Sequence, residues 1–459
     1  MTKRTRLLIL LACVVLFFSV TPFIVAYSLG YRVDFENREI VATGGIYVRT
    51  SPQAAEIIID NNNPEKPGMF SNAVFVQDLL PRQHSVTIKK DGYFQYQKTL
   101  PVKQNEVTKL ENVMLFKNNI AFTSLADNIE YISLAPNKRN FLAETTNTLS
   151  LDFIYFSGNN LGDKKEYSLP LKNTSVSNII WSPDSNKALV KIDNTSETAY
   201  YLFDFWKETQ STDALPYLNY AAKQVSFDPQ DSSKILYIKN TYLYSYSTKD
   251  KKSTLLLKNV LTYKAQDNGI FWLSTSGVFS KSDMAGNLVN QMTDGKIISS
   301  DYSIVSAAGQ ILLKNQNSLL IYNPEIKAFQ NFDNKIQNFE IAESPDGKNM
   351  VYYNSNDIYL YSFDKNIKIG QENNVKLFSS NGPVTNCFWL NNDYIIFRSA
   401  NKVIISEIDS RGNINSVELP QTYIKNSSDS VSKIFYNPSD SQAYVFLDKA
   451  LFSSEKLVP

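Results

Sequence analysis

The chain opens on an apolar run. Leu7 to Tyr27 carries no charged side chain, and Lys3, Arg4 and Arg6 stand immediately before it. As a helix these 21 residues would span ~31 Å, close to the ~30 Å of a hydrocarbon core. Ser19, Thr21 and Pro22 are its only interruptions. From Gly44 the pattern changes to short strands. Ile46-Tyr-Val-Arg-Thr50 and Ser85-Val-Thr-Ile-Lys89 alternate with period two, and Glu56-Ile-Ile-Ile-Asp60 is β-branched. Asn61-Asn-Asn-Pro-Glu-Lys-Pro-Gly68 and Asp91-Gly92 supply turns, so five or six strands of a small sandwich or open barrel are predicted over 44–116.

From Asn118 onward there is no helical periodicity, and a unit recurs instead. An apolar strand ends in a Pro/Asp turn, a second apolar strand follows, then an alternating aromatic one. The clearest copies are Asn178-Ile-Ile-Trp-Ser-Pro-Asp184, Lys187–Ile192 and Ala199–Phe205, and then Phe339–Gly347, Asn349–Tyr353 and Ile358–Phe363. Turn prolines fall at 136, 183, 229, 345 and 438, and turns without proline at 266–269, 307–309 and 391–393 fill the gaps. Eight units define seven intervals over the 302 residues between Pro136 and Pro438, a period of about 43. Four strands per ~40–45 residues is the pattern of a β-propeller blade. The expected fold is therefore mainly β: an N-terminal transmembrane helix, a small β domain, then a propeller of eight blades, with seven as the alternative. The last unit, 431–459, holds only three strands, Lys433–Tyr436, Ala443–Phe446 and Leu451–Ser453. Its missing outer strand is expected from Ile120-Ala-Phe122, because joining the ends leaves no long unpaired edge.

Two resemblances accompany these readings. Gly45-Ile-Tyr-Val, Ser51-Pro-Gln-Ala-Ala55 and Ile57-Ile-Ile-Asp60 resemble the opening of the PEGA domain family. The likeness continues through Leu79-Leu-Pro81, His84-Ser-Val86, Lys90-Asp-Gly-Tyr93 and Leu100-Pro-Val102, with Gln53-Ala54 where the namesake motif has Glu-Gly. It covers 44–116 and implies an extracytoplasmic envelope module, appended to other domains and without enzymatic chemistry. The Ser-Pro-Asp and Ser-Pro-Asp-Gly turns over 117–459 resemble those of TolB-type and WD-repeat-like propellers, which implies a fold and no activity. The domain plan is a cytoplasmic tail at 1–6, an anchor at 7–27, a juxtamembrane linker at 28–43, the PEGA-like domain at 44–116 and the propeller at 117–459.

Charge flanking the apolar run sets its direction. Basic residues on the N-terminal side keep that end inside and send everything after Tyr27 across the membrane. A cleavable signal ending after Ala26 is one alternative, with bulky Ile24 at its small-residue site. A lipoprotein signal at Leu10-Leu-Ala-Cys13 is another, with apolar Val14–Phe18 following the cysteine. An uncleaved single-pass anchor is the reading adopted.

Composition narrows the chemistry. Lys plus Arg number 46 against 45 Asp plus Glu, which argues against a nucleic-acid partner. One histidine, His84, and two cysteines, Cys13 and Cys387, cannot assemble a His/Cys zinc site or a disulfide framework. His84 stands where the PEGA pattern has a structural residue, with no nucleophile in the motif. Cys387 lies in an apolar strand and reads as a small buried hydrophobe. Three aromatic triplets, Tyr242/Tyr244/Tyr246, Tyr359/Tyr361/Phe363 and Tyr201/Phe203/Phe205, have the spacing of strand faces. Packing between blades explains them better than sugar stacking, and Trp181 and Trp389, at one repeat position, read as core too. Asp184, Asp228 and Asp346 occur one per turn, as Asx turns require and calcium loops do not. No Gly-x-Ser-x-Gly or phosphate-binding loop occurs. No residue is assigned as catalytic, cofactor-binding or metal-binding, and no cofactor is expected.

The function expected is a membrane-anchored, extracytoplasmic cell-envelope protein that is not an enzyme. Its PEGA domain and propeller would bind envelope protein or cell-wall glycan. The alternative is a carbohydrate-active enzyme, a glycosidase or lyase, with acids in the propeller funnel. A solute or signal sensor is disfavoured by the short tail Met1–Arg6.

Overall fold

A computed structural model describes residues 3–67, 72–145, 147, 150–157, 164–171, 174–193, 198–207, 212–215, 218, 221–297, 301–332, 336–363, 373–380, 382–420 and 431–457. Met1 and Thr2 of the tail, Gly68 at the end of its turn segment, and residues 458–459 lie outside them. The chain divides into two compact units. One comprises Met1–Ile120, Ser406–Pro420 and Leu457–Pro459, and the other Ala121–Ile405 and Gln421–Lys456.

In the first unit, helix α1 runs from Lys3 to Ser28 with none of its residues buried. A hairpin follows in the stretch read from sequence as a linker: β1 (Tyr31–Asp34) pairs antiparallel with β2 (Glu39–Ala42). Six further strands build two three-stranded sheets. In one, β3 (Gly44–Ser51) lies between β5 (Ala73–Leu79) and β8 (Val107–Met114); in the other, β6 (Gln83–Lys89) lies between β4 (Glu56–Ile59) and β7 (Tyr96–Pro101). The inward phase is aliphatic in most of these strands, and in β7 it carries Tyr96 and Lys98 before Leu100. Ile46 and Val48 of β3 share one core with Ile57 and Ile59 of β4, Val86 and Ile88 of β6, and Leu110 of β8. Each such side chain stabilises the sandwich by ~1.5–3 kcal/mol on burial. Ala54, in the namesake motif, adopts φ 61°, the left-handed region that glycine occupies without cost.

The second unit contains the repeat apart from Ser406–Pro420. Blades 1 to 7 are four-stranded sheets whose strands follow one another in sequence, beginning at 129, 175, 223, 260, 303, 340 and 384. Blade 8 is made of Val431–Asn437, Gln442–Leu447 and Ala450–Ser454, completed by β9 (Phe122–Ala126) from the start of the unit. β9 pairs antiparallel with Ala450–Ser454, Phe452 opposite Ser124, which is the closure expected from the sequence. Each of the eight turns marked in the sequence joins the first and second strands of a blade.

The blades form a closed ring, because each core is shared by neighbours. Phe153 of blade 1 packs with Phe203 of blade 2, Leu189 of blade 2 with Phe227 of blade 3, and Phe271 of blade 4 with Tyr322 of blade 5. Phe435 and Tyr444 of blade 8 pack on Phe141 of blade 1, with ring centroids 5.6 and 4.9 Å apart. Eight four-stranded sheets packed face to face in a ring make an eight-bladed β-propeller.

Candidate functional site

The turns explain the repeat's polar residues. Ser182 Oγ donates to Asp184 Oδ1 at 2.6 Å and accepts from the Lys187 amide at 2.9 Å, while Asp184 also accepts from the Asn186 amide. Ser344, Asp346, Lys348 and Asn349 reproduce this set in blade 6. Asp228 accepts from the Gln230 amide in blade 3. These carboxylates satisfy backbone donors of their own turns, as Asx turns do. Among the described residues no group of three or more His, Cys, Asp or Glu side chains is placed to hold a metal ion.

Other singled-out residues sit in packing positions. Trp181 and Trp389 donate through Nε1 to Ser133 and to the Ala342 carbonyl, each on the first strand of the preceding blade. Phe203, Phe205 and Tyr246 are buried, and Tyr201, Tyr244, Tyr359, Tyr361 and Phe363 pack on the inter-blade cores. Cys387 is buried and its thiol is pushed well up by loss of solvent. Cys13 lies exposed on α1. His84, buried on β6, has Nδ1 2.5 Å from Asp60 Oδ2 and donates through Nε2 to the Leu80 carbonyl at 2.7 Å. Asp60 Oδ1 accepts the Ser85 amide, so the pair pins the β4–β6 edge. The orienting carboxylate is thus present, while the hydrogen bonds described for the ring include no nucleophile.

Two charged groups were missed in the sequence. The first is in unit 1. Lys98 on β7 is fully buried, and its Nζ donates to Glu407 Oε1 at 2.6 Å and to the carbonyls of Asp409 and Asn413. Tyr96 Oη donates to Glu407 Oε2 at 2.8 Å, and the Asn415 amide and side chain donate to Oε1. Arg411 forks onto Asp409 and reaches the Lys109 carbonyl. Burial raises the Asp409 carboxyl, but the hydrogen bonds from Arg411 and the charges of Lys98 and Arg411 outweigh it and hold it below its ordinary value. Every charge here is matched, which makes this a structural node.

The second group lines the innermost strands of unit 2. Tyr131 and Glu144 stand opposite each other on the first two strands of blade 1, and Thr385 and Arg398 do so in blade 7. Lys433, on the first strand of blade 8, lies with Nζ 4.4 Å above the Tyr131 ring. Burial pushes the Glu144 carboxyl up to about 7, partly opposed by the Val176 amide of blade 2, which reaches Oε2 at 3.4 Å. Burial lowers Lys433 and Arg398 and, with the Glu144 charge, raises Tyr131. The Oγ1 atoms of Thr385 and of Thr174, just before blade 2, are buried without a hydrogen-bond partner among the described residues. Blades 7, 8, 1 and 2 thus carry a run of desolvated polar groups where their first strands begin, a setting for polar ligand contacts. The trace of it in the sequence is a charge inside an apolar strand, Glu144 in Phe141–Thr145 and Lys433 before Ile434-Phe-Tyr436.

Comparison with known proteins agrees with both units. Residues 43–115 match the family model described as PEGA domain. No curated protein matches the chain. Among solved structures, the C-terminal WD40 domain of Sif2 superposes with a TM-score of 0.51 at 12% identity, over 74% of this chain and 98% of that one. Hsv2 of Kluyveromyces lactis gives 0.40 at 10% identity over 64% and 100%, and a chain of the mitotic checkpoint complex gives 0.42 at 12% over 74% and 92%. The chain carries a PEGA domain followed by a WD40-like β-propeller.

Proposed function

We propose that this is a single-pass, membrane-anchored protein of the cell envelope, whose PEGA domain and propeller are exported and serve as a non-enzymatic binding and scaffold module. Its partner is an envelope protein or a cell-wall glycan. The run of desolvated polar groups on the inner strands of blades 7, 8, 1 and 2 carries this reading. A rigid ring of sheets holds such groups in fixed positions, so a ligand meets them at little ordering cost. Helix α1 supports the anchor: it is the one described helix long and apolar enough to cross a membrane, and it stands near the N-terminus. The basic residues before it support an outward-facing C-terminal portion.

One observation favours the alternative of a carbohydrate-active enzyme. A carboxyl that keeps its proton up to about 7 has the property of a general acid. The test is sedimentation of the full-length chain, in detergent, with purified cell-wall sacculi across a salt series, with released sugars assayed. Saturable binding without sugar release, weakened in Lys433→Ala, supports the scaffold reading. Sugar release abolished in Glu144→Gln establishes the enzyme instead. Absence of wall binding directs the search to a protein partner by crosslinking on intact cells.

A further inference from the structure

The β1–β2 hairpin is amphipathic across its two faces. Tyr31 pairs with Ala42 and Val33 with Ile40, so these four share one face; Arg32, Asp34, Glu39 and Val41 share the other. The polar face is tied down. Arg32 pairs with Asp78 of β5 at 2.9 Å, Glu36 pairs with Arg82 at 3.1 Å, and Asp34 is buried, accepting the Glu36 and Asn37 amides of the turn. On the apolar face Ala42 at the base is buried, and the rest is open: Tyr31, Val33 and Ile40 are exposed, Ile40 by 63%, and Phe35 at the tip by 86%. Scattered exposed apolar residues are ordinary, but a contiguous set marks a contact with protein or membrane.

The junction with α1 fixes where this face points. Arg32 Nη1 donates to the Tyr27 carbonyl at the helix end and its guanidinium lies 3.5 Å from the Tyr27 ring centroid. The Thr43 amide and hydroxyl both donate to the Gly30 carbonyl, closing the base of the hairpin. Between helix and hairpin lies an open cavity of about 510 Å³, whose walls include Phe18, Pro22, Val25 and Leu29 on one side and Tyr31 and Ile40 on the other. The apolar face of the ribbon therefore looks onto the same space as the last turns of the helix.

We propose that this hairpin lies in the membrane interface, with Tyr31, Val33, Phe35 and Ile40 seated among the acyl chains of the leaflet where α1 emerges. The inference rests on the anchored reading of α1. The occupant follows from continuity: the cavity begins on side chains at hydrocarbon depth and ends on the ribbon. Aromatic Tyr31 and Phe35 with flanking Arg32 and Arg38 is the composition that interfacial segments favour. Ion pairs hold the polar face to its own domain, which leaves the apolar face for lipid.

The test reconstitutes the full-length chain into vesicles of phosphatidylethanolamine and phosphatidylglycerol, with or without bromine near the top of the acyl chains. Single tryptophans are added as Phe35→Trp, Ile40→Trp, Val41→Trp and Phe17→Trp, with the parent's emission subtracted. Trp at 35 and 40 should lose about half its emission in brominated lipid and shift to the blue, while Trp at 41, on the opposite face, should not. Quenching at 17 without quenching at 35 and 40 overturns the hairpin inference and leaves the anchor standing. Equal quenching at 40 and 41 overturns it as well. No quenching at 17 removes the anchor, and this inference with it. Phe35 is nearly free of packing, so Phe35→Trp preserves the test if Ile40→Trp disturbs the ribbon.

Discussion

Lys98 and Glu407 are 309 residues apart in sequence, yet their charged atoms meet at 2.6 Å with the lysine 0% and the glutamate 4% exposed. Desolvating both charges is expensive, and the surrounding carbonyls, Tyr96 and Asn415 offset it. Removing one partner strands the other. Lys98→Met or Glu407→Gln should each cost about 3–5 kcal/mol, and Lys98→Met with Glu407→Leu less than the sum. Urea unfolding of the full chain checks this; additive losses would show that the two charges act independently.

Ala54 sits at φ 61° where the PEGA motif has glycine. A left-handed alanine costs about 1–2 kcal/mol, while glycine adds about 0.4–1 kcal/mol of unfolded-state entropy. Ala54→Gly should therefore stabilise by about 0.5–1 kcal/mol. Thermal unfolding measures it, and a loss of stability would mean the turn is not strained.

The matched turns of blades 2 and 6 predict matched mutants. Ser182→Ala and Ser344→Ala each remove a buried hydroxyl that both donates to an Asp and accepts from the backbone, at about 1–3 kcal/mol. The two blades are not neighbours in the ring, so the double variant should lose the sum. Denaturant midpoints of the three variants decide it.

Glu144 gives a pH signature. Its folded carboxyl titrates at about 7 and its unfolded one near 4.5, so the folded chain binds the extra proton between these values. Stability from this group is complete below about pH 4.5 and is lost as pH rises through about 7. Relative to Glu144→Gln, the parent should weaken across that window. Parallel curves would place Glu144 in contact with solvent.

The repeat was legible because its turns use chemistry visible in short words. Ser-Pro-Asp in two turns and a proline in three more set the spacing, and that spacing located the three turns without proline and the three-stranded last unit. The β1–β2 hairpin was not. Its strands are four residues each, and its turn, Phe35–Arg38, uses Arg38 at φ 56° rather than glycine. Lys98 was half legible: it shares the inward phase of β7 with Tyr96 and Leu100. Its partner was hidden, since no local pattern links β7 to a segment three hundred residues on. Lys433 meets Tyr131, the partner of Glu144, only because the ring closes, which sets blade 8 beside blade 1.

That closure has a cost in time. β9 leaves the ribosome early, and its pairing strand, Ala450–Ser454, emerges more than three hundred residues later. At ~5–20 residues per second the strand waits on the order of 15–65 s with its edge unpaired. During that interval Phe122–Ala126 is a sticky end, kept from the wrong neighbour only by its shortness and by whatever escorts the nascent chain. Slowing synthesis lengthens this exposure, so the yield of closed rings depends on the pace of translation as well as on the final stability of the fold.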